Sequence, residues 1–291
     1  NQDVRRTFEI RTAVTTSIRH FLDSRGYLEV ETPILQPRYG GASARPFTTH
    51  YNALGEDLYL RIADELYLKR LIIGGMERVY EFCKDFRNEG IDRTHSPEFT
   101  MLESYEAYAD HRDIMRLVEE MVARVCHEVH GSTNLPVDGG EIDFKPPWER
   151  VTFRYAVIRE ANLDIEDYPD AESLAAQARE RGLEGNSDLG RGKVLDEILE
   201  KLVSPKLTAP TFVHDYPVET SPLAKRNPDD ERYVGRFEAF AAGMKFANAF
   251  TELNDPIDQR RRFEEQARAI ESGDEEAQVL DEDFLLAMEH G

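Results

Sequence analysis

The chain has 291 residues, enough for one large domain or two small ones, and its 40% hydrophobic content is typical of a globular protein. Its formal net charge of −21 argues against a general nucleic-acid-binding surface, because phosphate backbones require clustered cations. No apolar run approaches the roughly 20 residues of a membrane span, and two cysteines build no disulfide framework, so we expect a cytoplasmic protein without membrane contact.

The first 130 residues predict helices that alternate with strands. Apolar residues at helical spacing mark the first helix, and Gly26 ends the pattern. The predicted helices cover 3–24, 64–73 and 111–130, and the predicted strands cover 27–33, 57–61, 78–86 and 98–108. The last two strands are most simply the arms of one long antiparallel hairpin.

The remaining chain begins with a change of composition. Residues 131–206 are rich in Gly, Pro and Asp and predict an inserted peripheral subdomain, after which TFVHDYP, GRFEAFAAG and KFANAFTEL return to strand character. Helices over 256–271 and 281–289 are predicted to close the chain. Because the strands arrive as hairpins, the sequence predicts an α+β fold with a mainly antiparallel sheet flanked by helices. We therefore expect a core over 1–130 and 207–291 around the inserted segment.

The segment FRNEGIDRTHSPEF (86–99) joins the two arms of the predicted hairpin and is densely charged. Arg87 directly follows a strand and can make a bidentate contact with a phosphate or carboxylate. Arg93 and His95 could meet further phosphates, and Phe99 could stack on a base. Read alone, the segment is equally compatible with a solvated hairpin tip held by ion pairs.

This hairpin resembles motif 2 of the class II aminoacyl-tRNA synthetases, and the resemblance is closest to the lysyl-tRNA synthetases. The helix over 3–24 followed by YLEVETP resembles motif 1, the dimer-forming helix and strand. Further matching segments are GGASARPF (40–47), LYLRIADELYLKRLIIGG (58–75), HSPEFTMLESYEAYAD (95–110), TFVHDYPVETSPLAKR (211–226) and ANAFTELNDP (247–256). The resemblance covers nearly the whole chain except about 131–195 and implies the antiparallel sheet of that class.

The resemblance implies the catalytic core of a lysine–tRNA ligase, which activates lysine with ATP to lysyl-adenylate and transfers it to tRNA(Lys). It implies a homodimer, the use of Mg²⁺, and Arg87 as the catalytic residue on the α-phosphate and the substrate carboxylate. The implied ATP site consists of Arg87, Glu89, Arg93, His95 and Phe99, and the implied lysine site consists of Gly41, Glu65, Glu103, Tyr105, Asn248 and Glu252. In that site Gly41 and Glu65 hold the α-amino group.

The side-chain ammonium is assigned by the resemblance to Glu103, Tyr105 and Glu252, and the residue types support this chemistry. Glu103 and Tyr105 are two apart on one strand and therefore share a face. A buried pair of carboxylates such as Glu103 and Glu252 repels when it is empty, so one of them would take up a proton. A bound ammonium removes the conflict, and neutral side chains are rejected because they leave the pair unsatisfied.

The sequence departs from the family in three respects. The family's N-terminal anticodon-binding β-barrel and its motif 3, with a second ATP-binding arginine, are not found, so we expect the natural chain to continue past Gly291. In the family's strand pair before Asn248, two glutamates bind magnesium ions. Glu238 matches the first glutamate, but Lys245 occupies the second position, which predicts fewer bound magnesium ions.

Two other functions remain open at this point. A non-catalytic, dimerising synthetase paralogue would explain Lys245 and the missing motif 3. A protein-lysyl ligase of the elongation-factor-P type would share the lysine pocket, although GGASARPF and SPLAKR are more similar to the tRNA enzyme.

Overall fold

The computed structural model describes residues 1–92, 95–137, 140–271 and 279–291. These residues form two compact units. The first unit contains Asn1–Arg19 and Ala109–Leu253, and the second unit contains His20–Tyr108 and Asn254–Gly291. The predicted division of the chain at residues 130 and 206 stays a prediction.

Helices and strands alternate irregularly along the described residues. The α-helices are α1 (Gln2–Asp23), α2 (Glu65–Ile73), α3 (His111–His130), α4 (Phe153–Ala161), α5 (Ala171–Glu180), α6 (Arg191–Ile198), α7 (Pro256–Glu271) and α8 (Glu282–His290). The strands are β1 (Leu28–Glu29), β2 (Leu35–Gln36), β3 (Phe47–Tyr51), β4 (Glu56–Leu60), β5 (Arg78–Phe86), β6 (Glu98–Glu106), β7 (Asn134–Val137), β8 (Gly140–Asp143), β9 (Glu149–Thr152), β10 (Thr211–Pro217), β11 (Arg226–Asn227), β12 (Asp230–Ala241) and β13 (Met244–Phe250).

The second unit is organised around the hairpin of β5 and β6. These strands pair antiparallel from Arg78 opposite Glu106 to Phe86 opposite Glu98, which confirms the predicted hairpin. Strand β1 lies parallel to β5, and β2, β4 and β3 form a second, antiparallel sheet. Helix α2 buries Leu66 and Leu68, in accordance with the predicted helix over 64–73.

The predicted strand over 27–33 is reduced to the two residues of β1. The N–H of Val30 still donates to the carbonyl of Tyr80 over 2.9 Å. Beyond it, the N–H and hydroxyl of Thr32 donate to the carboxylate of Glu81 over 3.1 and 2.7 Å. A side-chain acceptor therefore replaces the next backbone partner, and the chain leaves the sheet before Pro33.

The first unit contains a mixed sheet in the order β11, β12, β10 and β9, with β13 paired to β12. Its strands are antiparallel except that β9 runs parallel to β10. Fully buried residues of α4 to α6 pack with residues of this sheet in one hydrophobic cluster, and a second cluster includes Trp148 stacked on Phe212 at 5.1 Å. The fold is α+β and mainly antiparallel, as predicted.

Helix α3 has strong signals at both ends. Asp110 accepts from the N–H of Arg112 and Asp113, and the Asp113 side chain accepts from the N–H of Asp110, so the two form a capping box. Gly131 follows the helix with φ of 78°, a conformation that glycine adopts without strain. These signals explain why the predicted bounds of 111–130 match the observed helix.

No helix among the described residues is long and apolar enough to cross a membrane. Both cysteines, Cys83 and Cys126, are buried and free, as expected for a chain without a disulfide framework.

We predict that Gly192→Ala destabilises the protein. Gly192 is the second residue of α6, where alanine would ordinarily gain up to about 1 kcal/mol of helix propensity. However, an added Cβ would lie 2.7 Å from the backbone oxygen of Glu219. We expect the clash to dominate and to cost about 1–3 kcal/mol, measured as a fall in free energy of unfolding in urea. Gly140→Ala is the control because nothing lies within 4 Å of its added Cβ, and an equal loss there would contradict the steric explanation.

Candidate active site

The loop between β5 and β6 holds Arg87 against Phe99. The backbone N–H of Arg87 donates to the carbonyl of Pro97 over 2.9 Å, and its Nε donates to the carbonyl of Ile62 over 3.3 Å. Its guanidinium lies 5.1 Å from the ring centre of Phe99. A guanidinium anchored at one nitrogen keeps its plane fixed, which suits a bidentate contact with a phosphate or carboxylate. Two residues of the predicted ATP site are therefore adjacent.

The other predicted ATP residues lie further along this loop. Glu89 is exposed, and its N–H donates to the carbonyl of Arg87 over 2.9 Å. His95 is exposed and pairs with Asp92 over 2.8 Å. Arg93 lies outside the described residues. The roles of these three residues in binding ATP stay predictions.

Gly41 and Glu65, predicted to bind the α-amino group, lie side by side. Gly41 has φ of +84°, and a Cβ there would lie 3.0 Å from the Cβ of Glu65. Only glycine combines this backbone conformation with such a close approach without strain. Glu65 is buried in the first turn of α2 and accepts a charge-assisted hydrogen bond of 2.5 Å from Lys69. Its carboxylate is thus held at the start of the helix.

Glu103 and Tyr105 project from the same face of β6, as their spacing predicted. The hydroxyl of Tyr105 donates to Oε2 of Glu103 over 2.9 Å, and both side chains are only partly buried. The low-dielectric surroundings of the Glu103 carboxyl, and then the charges of Asp64 and Glu65, raise its pKa well above the ordinary value for a glutamate. Glu103 therefore holds a proton more readily than an exposed glutamate does. A cation bound beside it would lower its pKa again and favour the ionised carboxylate.

Asp64 directly precedes Glu65, and no sequence pattern singled it out. It is fully buried at the residue before α2, where an aspartate ordinarily caps the helix, but its side chain makes no capping hydrogen bond. Burial first, and then the charges of Asp85 and Glu81, raise the pKa of Asp64 to about 7. The position of Asp64 directly before a helix predicts only a helix-capping role. Its raised pKa depends on acids of β5 and β6, which the local sequence does not indicate.

Arg61 is a buried cation that contacts two acids of β5, Glu81 and Asp85. Its guanidinium donates to the carbonyls of Lys84 and Thr32 over 2.9 and 3.1 Å, and to Glu81 over 2.9 Å. It also forms an ion pair of 3.3 Å with Asp85. All three charged side chains are almost completely buried, so the guanidinium compensates two carboxylates that would otherwise be very costly to bury.

Asp64, Cys83 and Asp85 form the one group of three in the described parts of the chain that has the spacing of metal ligands. Their ligand atoms lie within 4.8 Å of one another, and all three residues are buried. Burial, followed by the charge of Asp64, raises the pKa of the Cys83 thiol, and Asp85 already pairs with Arg61. Since a thiol must lose its proton to bind a metal, these residues favour bound protons over a metal ion.

Glu238, the candidate magnesium ligand, lies in the first unit and is paired on both oxygens. Its Oε1 accepts from Arg236 over 2.6 Å and from Lys245 over 3.1 Å, and its Oε2 accepts from the hydroxyl of Tyr216 over 3.0 Å. Burial alone would raise the pKa of Glu238, but the charges of Arg236 and Lys245 outweigh burial and lower it. The carboxylate is therefore ionised and already compensated by two cations.

Asn248 and Glu252 complete the predicted residues of the first unit. Asn248 is opposite Glu238 in the hairpin of β12 and β13, and its side-chain oxygen accepts from Nε of Arg236 over 3.0 Å. Glu252 follows β13 and forms an isolated antiparallel bridge with Ala224. Arg236 thus joins two predicted site residues, although sequence reasoning overlooked it because alternation alone marks it only as a strand residue.

Known proteins are similar to this chain along its whole length. The family model described as tRNA synthetases class II (D, K and N) matches residues 1–291. Curated relatives named lysine--tRNA ligase come from Chloroflexus aurantiacus, Roseiflexus sp. (strain RS-1) and Moorella thermoacetica, and they are 54%, 55% and 53% identical to this chain over 291 residues. The matches cover 100% of this chain but 59%, 60% and 60% of those relatives. The chain therefore spans about 60% of the length of the curated relatives it matches.

We predict that Asp64→Asn stabilises the protein more at pH 8 than at pH 5. The unfolded chain ionises Asp64 near pH 3.8 and the folded protein near pH 7, so the unfolded state binds fewer protons between these values. The stability of the native protein therefore falls across this window, whereas asparagine does not titrate. Because one pKa unit corresponds to about 1.36 kcal/mol, the increase in the free energy of unfolding at pH 8 can reach about 4 kcal/mol. Unfolding in urea at both pH values measures this increase.

Asp143→Asn is the control for this pH dependence. A hydrogen bond from Thr133 lowers the pKa of Asp143, so its ionised form supports the fold above the unfolded pKa, and that support is lost as the pH falls. Asp143→Asn should therefore produce no gain at pH 8. A gain from Asp64→Asn that is equal at both pH values would contradict the raised pKa of Asp64.

Proposed function

Because the chain belongs to the class II tRNA synthetases of the D, K and N group, we propose that it is the catalytic core of a lysine–tRNA ligase. It activates lysine with ATP and transfers the lysyl group to tRNA(Lys). The observation that carries this proposal is the partly exposed carboxyl of Glu103, which accepts from the hydroxyl of Tyr105 over 2.9 Å and whose pKa is raised by burial and by the charges of Asp64 and Glu65. Such a place suits the ammonium of lysine and disfavours a neutral side chain.

Arg87 and Phe99 are the proposed contacts for the nucleotide. In the activation step a carboxylate oxygen of lysine attacks the α-phosphorus of ATP, the bond to the bridging oxygen breaks, and pyrophosphate leaves. The fixed guanidinium of Arg87 stabilises the charge that develops on the phosphoryl oxygens, and the ring of Phe99 stacks on the adenine. No protein nucleophile is required, so positioning and electrostatics are the whole contribution of these residues. Glu89, Arg93 and His95 are proposed as further ATP contacts.

The proposed lysine site consists of the residues that the resemblance implies. Gly41 and Glu65 receive the α-amino group, and the absence of a side chain at Gly41 lets its backbone lie close to Glu65. Glu103, Tyr105 and Glu252 receive the side-chain ammonium. Asn248 is assigned to the lysine carboxylate.

The names of the relatives favour this function over the two alternatives. Those reported above are lysine--tRNA ligases at 53–55% identity, which supports neither a non-catalytic paralogue nor a protein-lysyl ligase. The buried acids around Glu103 are also costly to retain in a protein that binds no cation there.

We propose a homodimer through α1 and the segment that follows it. Two large apolar residues of α1, Val4 and Phe8, are 54% and 67% exposed. After the helix, Leu28 and Leu35 are 54% and 49% exposed. Large apolar side chains are more often exposed where a partner covers them than on a monomer surface, and a self-complementary contact would be isologous.

The hairpin of β12 and β13 does not fit the family's pair of magnesium-binding glutamates. Glu238 is the one carboxylate at the two family positions, and Arg236 and Lys245 already compensate its charge. A divalent cation there would meet an ammonium where the family has a second carboxylate. We therefore propose that this hairpin holds fewer magnesium ions than the family pattern.

We predict that Arg87→Lys abolishes most lysine-dependent exchange of pyrophosphate into ATP. A lysine ammonium cannot copy the two parallel contacts of a guanidinium, so we expect a loss of at least about 100-fold in kcat for a folded variant. Arg116→Lys is the matched control, because Arg116 is exposed on α3 and pairs only locally with Asp113. If the protein exchanges with lysine but Arg87→Lys is as active as Arg116→Lys, the assignment of Arg87 is wrong.

We predict that Lys245→Glu increases the number of divalent ions bound together with ATP. The substitution removes an ammonium from Oε1 of Glu238 and adds a second carboxylate on the neighbouring strand. Mn²⁺, counted by its free electron paramagnetic resonance signal in the presence of ATP, measures the change. Lys145→Glu introduces the same charge change at an exposed position and should bind no additional ion. An unchanged ion count in folded Lys245→Glu would show that Lys245 does not determine metal binding.

A further inference from the structure

The guanidinium of Arg236 donates hydrogen bonds from all three of its nitrogens. Its Nε donates to Oδ1 of Asn248 over 3.0 Å, and its Nη2 donates to Oε1 of Glu238 over 2.6 Å. Its Nη1 donates to the carbonyl of Thr220 over 2.7 Å and to the hydroxyl of Ser221 over 2.9 Å. These acceptors belong to β12, to β13 and to the segment between β10 and β11. The position and the plane of the guanidinium are therefore fixed by three parts of the first unit.

Two aromatic rings also contact this guanidinium. Its central carbon lies 4.4 Å from the ring centre of Tyr216 and 5.5 Å from that of Phe250. A guanidinium stacks favourably on an aromatic ring and keeps its N–H groups available for hydrogen bonds in its own plane. The Arg236 side chain is only 12% exposed. The protein alone therefore holds Arg236 in place, without help from a ligand.

The fixed guanidinium determines which way the Asn248 amide is turned. An arginine side chain has five N–H donors and no acceptor, so the amide atom that faces it has to be the oxygen. The nitrogen Nδ2 is the other branch of the same planar amide. Asn248 is exposed, and among the described residues no acceptor is bonded to its Nδ2. Asn248 therefore offers two N–H donors to a ligand and keeps its acceptor for the protein.

The carboxylate of Glu238 is what makes this orientation depend on Arg236. Glu238 lies directly opposite Asn248 in the hairpin of β12 and β13, and directly opposed side chains are close enough to interact. If the guanidinium were removed, the amide would gain most by turning its N–H groups to this carboxylate. Arg236 prevents that rotation because it binds both the amide oxygen and the carboxylate.

We infer that Arg236 is a positioning residue that keeps Nδ2 of Asn248 directed to the ligand, and that it thereby selects a ligand with a carboxylate at this point. The inference rests on the proposed lysine site, in which Asn248 is assigned to the lysine carboxylate. An N–H donor suits a carboxylate, whereas an amide oxygen in the same place would repel it. Arg236 itself acts on the ligand only through Asn248.

The preference for lysine over 1,5-diaminopentane measures this selection. The diamine is lysine without its carboxylate, so both ligands present the same side-chain ammonium. A hydrogen bond to a charged group contributes enough to change a dissociation constant about tenfold or more. We expect Arg236→Met, which keeps an unbranched apolar stem but donates no hydrogen bond, to lower the preference for lysine about tenfold. Calorimetric titration with each ligand gives the two dissociation constants.

A double-mutant cycle separates positioning from a direct effect of the arginine charge. Asn248→Ala should also lower the preference about tenfold, because it removes the donor itself. If Arg236 acts through Asn248, Arg236→Met should cause no further loss of preference in the Asn248→Ala background. A direct attraction between the guanidinium and the lysine carboxylate would instead make the two losses add.

Asn248→Asp tests the orientation at an exposed position where folding is secure. One oxygen of the aspartate still accepts from Arg236, and the other takes the place of Nδ2. We expect the affinity for lysine to fall at least about tenfold below that of Asn248→Ala, since two carboxylates then face each other. The affinity for 1,5-diaminopentane should not fall. This variant decides the question if Arg236→Met does not fold.

Arg191→Met is the matched control for the loss of an engaged guanidinium. The Arg191 side chain is 16% exposed, donates to the carbonyls of Tyr168 and Ile165, and pairs with Glu219 over 2.6 Å. It contacts none of the proposed site residues among these partners. We expect a lower free energy of unfolding for this variant, measured in urea, and a native preference for lysine.

The outcomes distinguish the inference from the function on which it rests. An unchanged preference in folded Arg236→Met, additive losses in the double variant, or native lysine affinity in Asn248→Asp would overturn the inference and leave the lysine site intact. An equal loss of preference in Arg191→Met would attribute the effect to general destabilisation and would also overturn it. If the native protein binds no lysine, the proposed function is refuted instead.

Discussion

The buried guanidinium of Arg61 is the interaction on which the candidate site of the second unit depends. Its side chain joins Thr32, Lys84 and the carboxylates of Glu81 and Asp85. The backbone oxygen of the same residue accepts from the N–H of Phe86 over 2.9 Å. Since Arg87 follows Phe86, and its Nε donates to the next carbonyl at Ile62, the end of β4 fixes where Arg87 lies. Removing one partner of such a buried ion pair ordinarily lowers the free energy of unfolding by about 3–5 kcal/mol.

The sequence predicted those elements whose signals are local. The hairpin of β5 and β6, helix α3 and the pair of Glu103 and Tyr105 follow from periodicity, capping residues and a spacing of two. By contrast, β1 is short because Thr32 turns to the carboxylate of Glu81, which is 49 residues away in the chain. No local pattern contains that information. The predicted roles of the site residues came from the resemblance. The structure shows which residues contact them.

The two overlooked residues, Asp64 and Arg236, share one reason for having been missed. Asp64 lies at a helix start and Arg236 lies within a strand, and either position is explained by secondary structure alone. Only the neighbours on other segments of the chain indicate a further role. Arg236 contacts Asn248 and Glu238 and also donates to the carbonyl of Thr220 over 2.7 Å. A fully engaged guanidinium of this kind holds its neighbours in fixed positions, so Asn248 and Glu238 are oriented by the fold before any ligand binds.

Both regions solve the same electrostatic problem with different cations. A carboxylate kept out of water needs a positive partner, and the protein supplies Arg61 to Glu81 and Asp85, Lys69 to Glu65, and Arg236 with Lys245 to Glu238. Glu238 consequently has a lowered pKa and stays ionised. The ion pairs of the described residues include neither Asp64 nor Glu103, and burial together with neighbouring acids raises the pKa of both carboxyls. Cations thus compensate several of the buried acids, whereas Glu103, which we propose as a contact of the lysine ammonium, has no described ion pair of this kind. In an ordinary buried ion-pair network every carboxylate already has a cation, so an acid without one is the feature expected of a site for an ammonium.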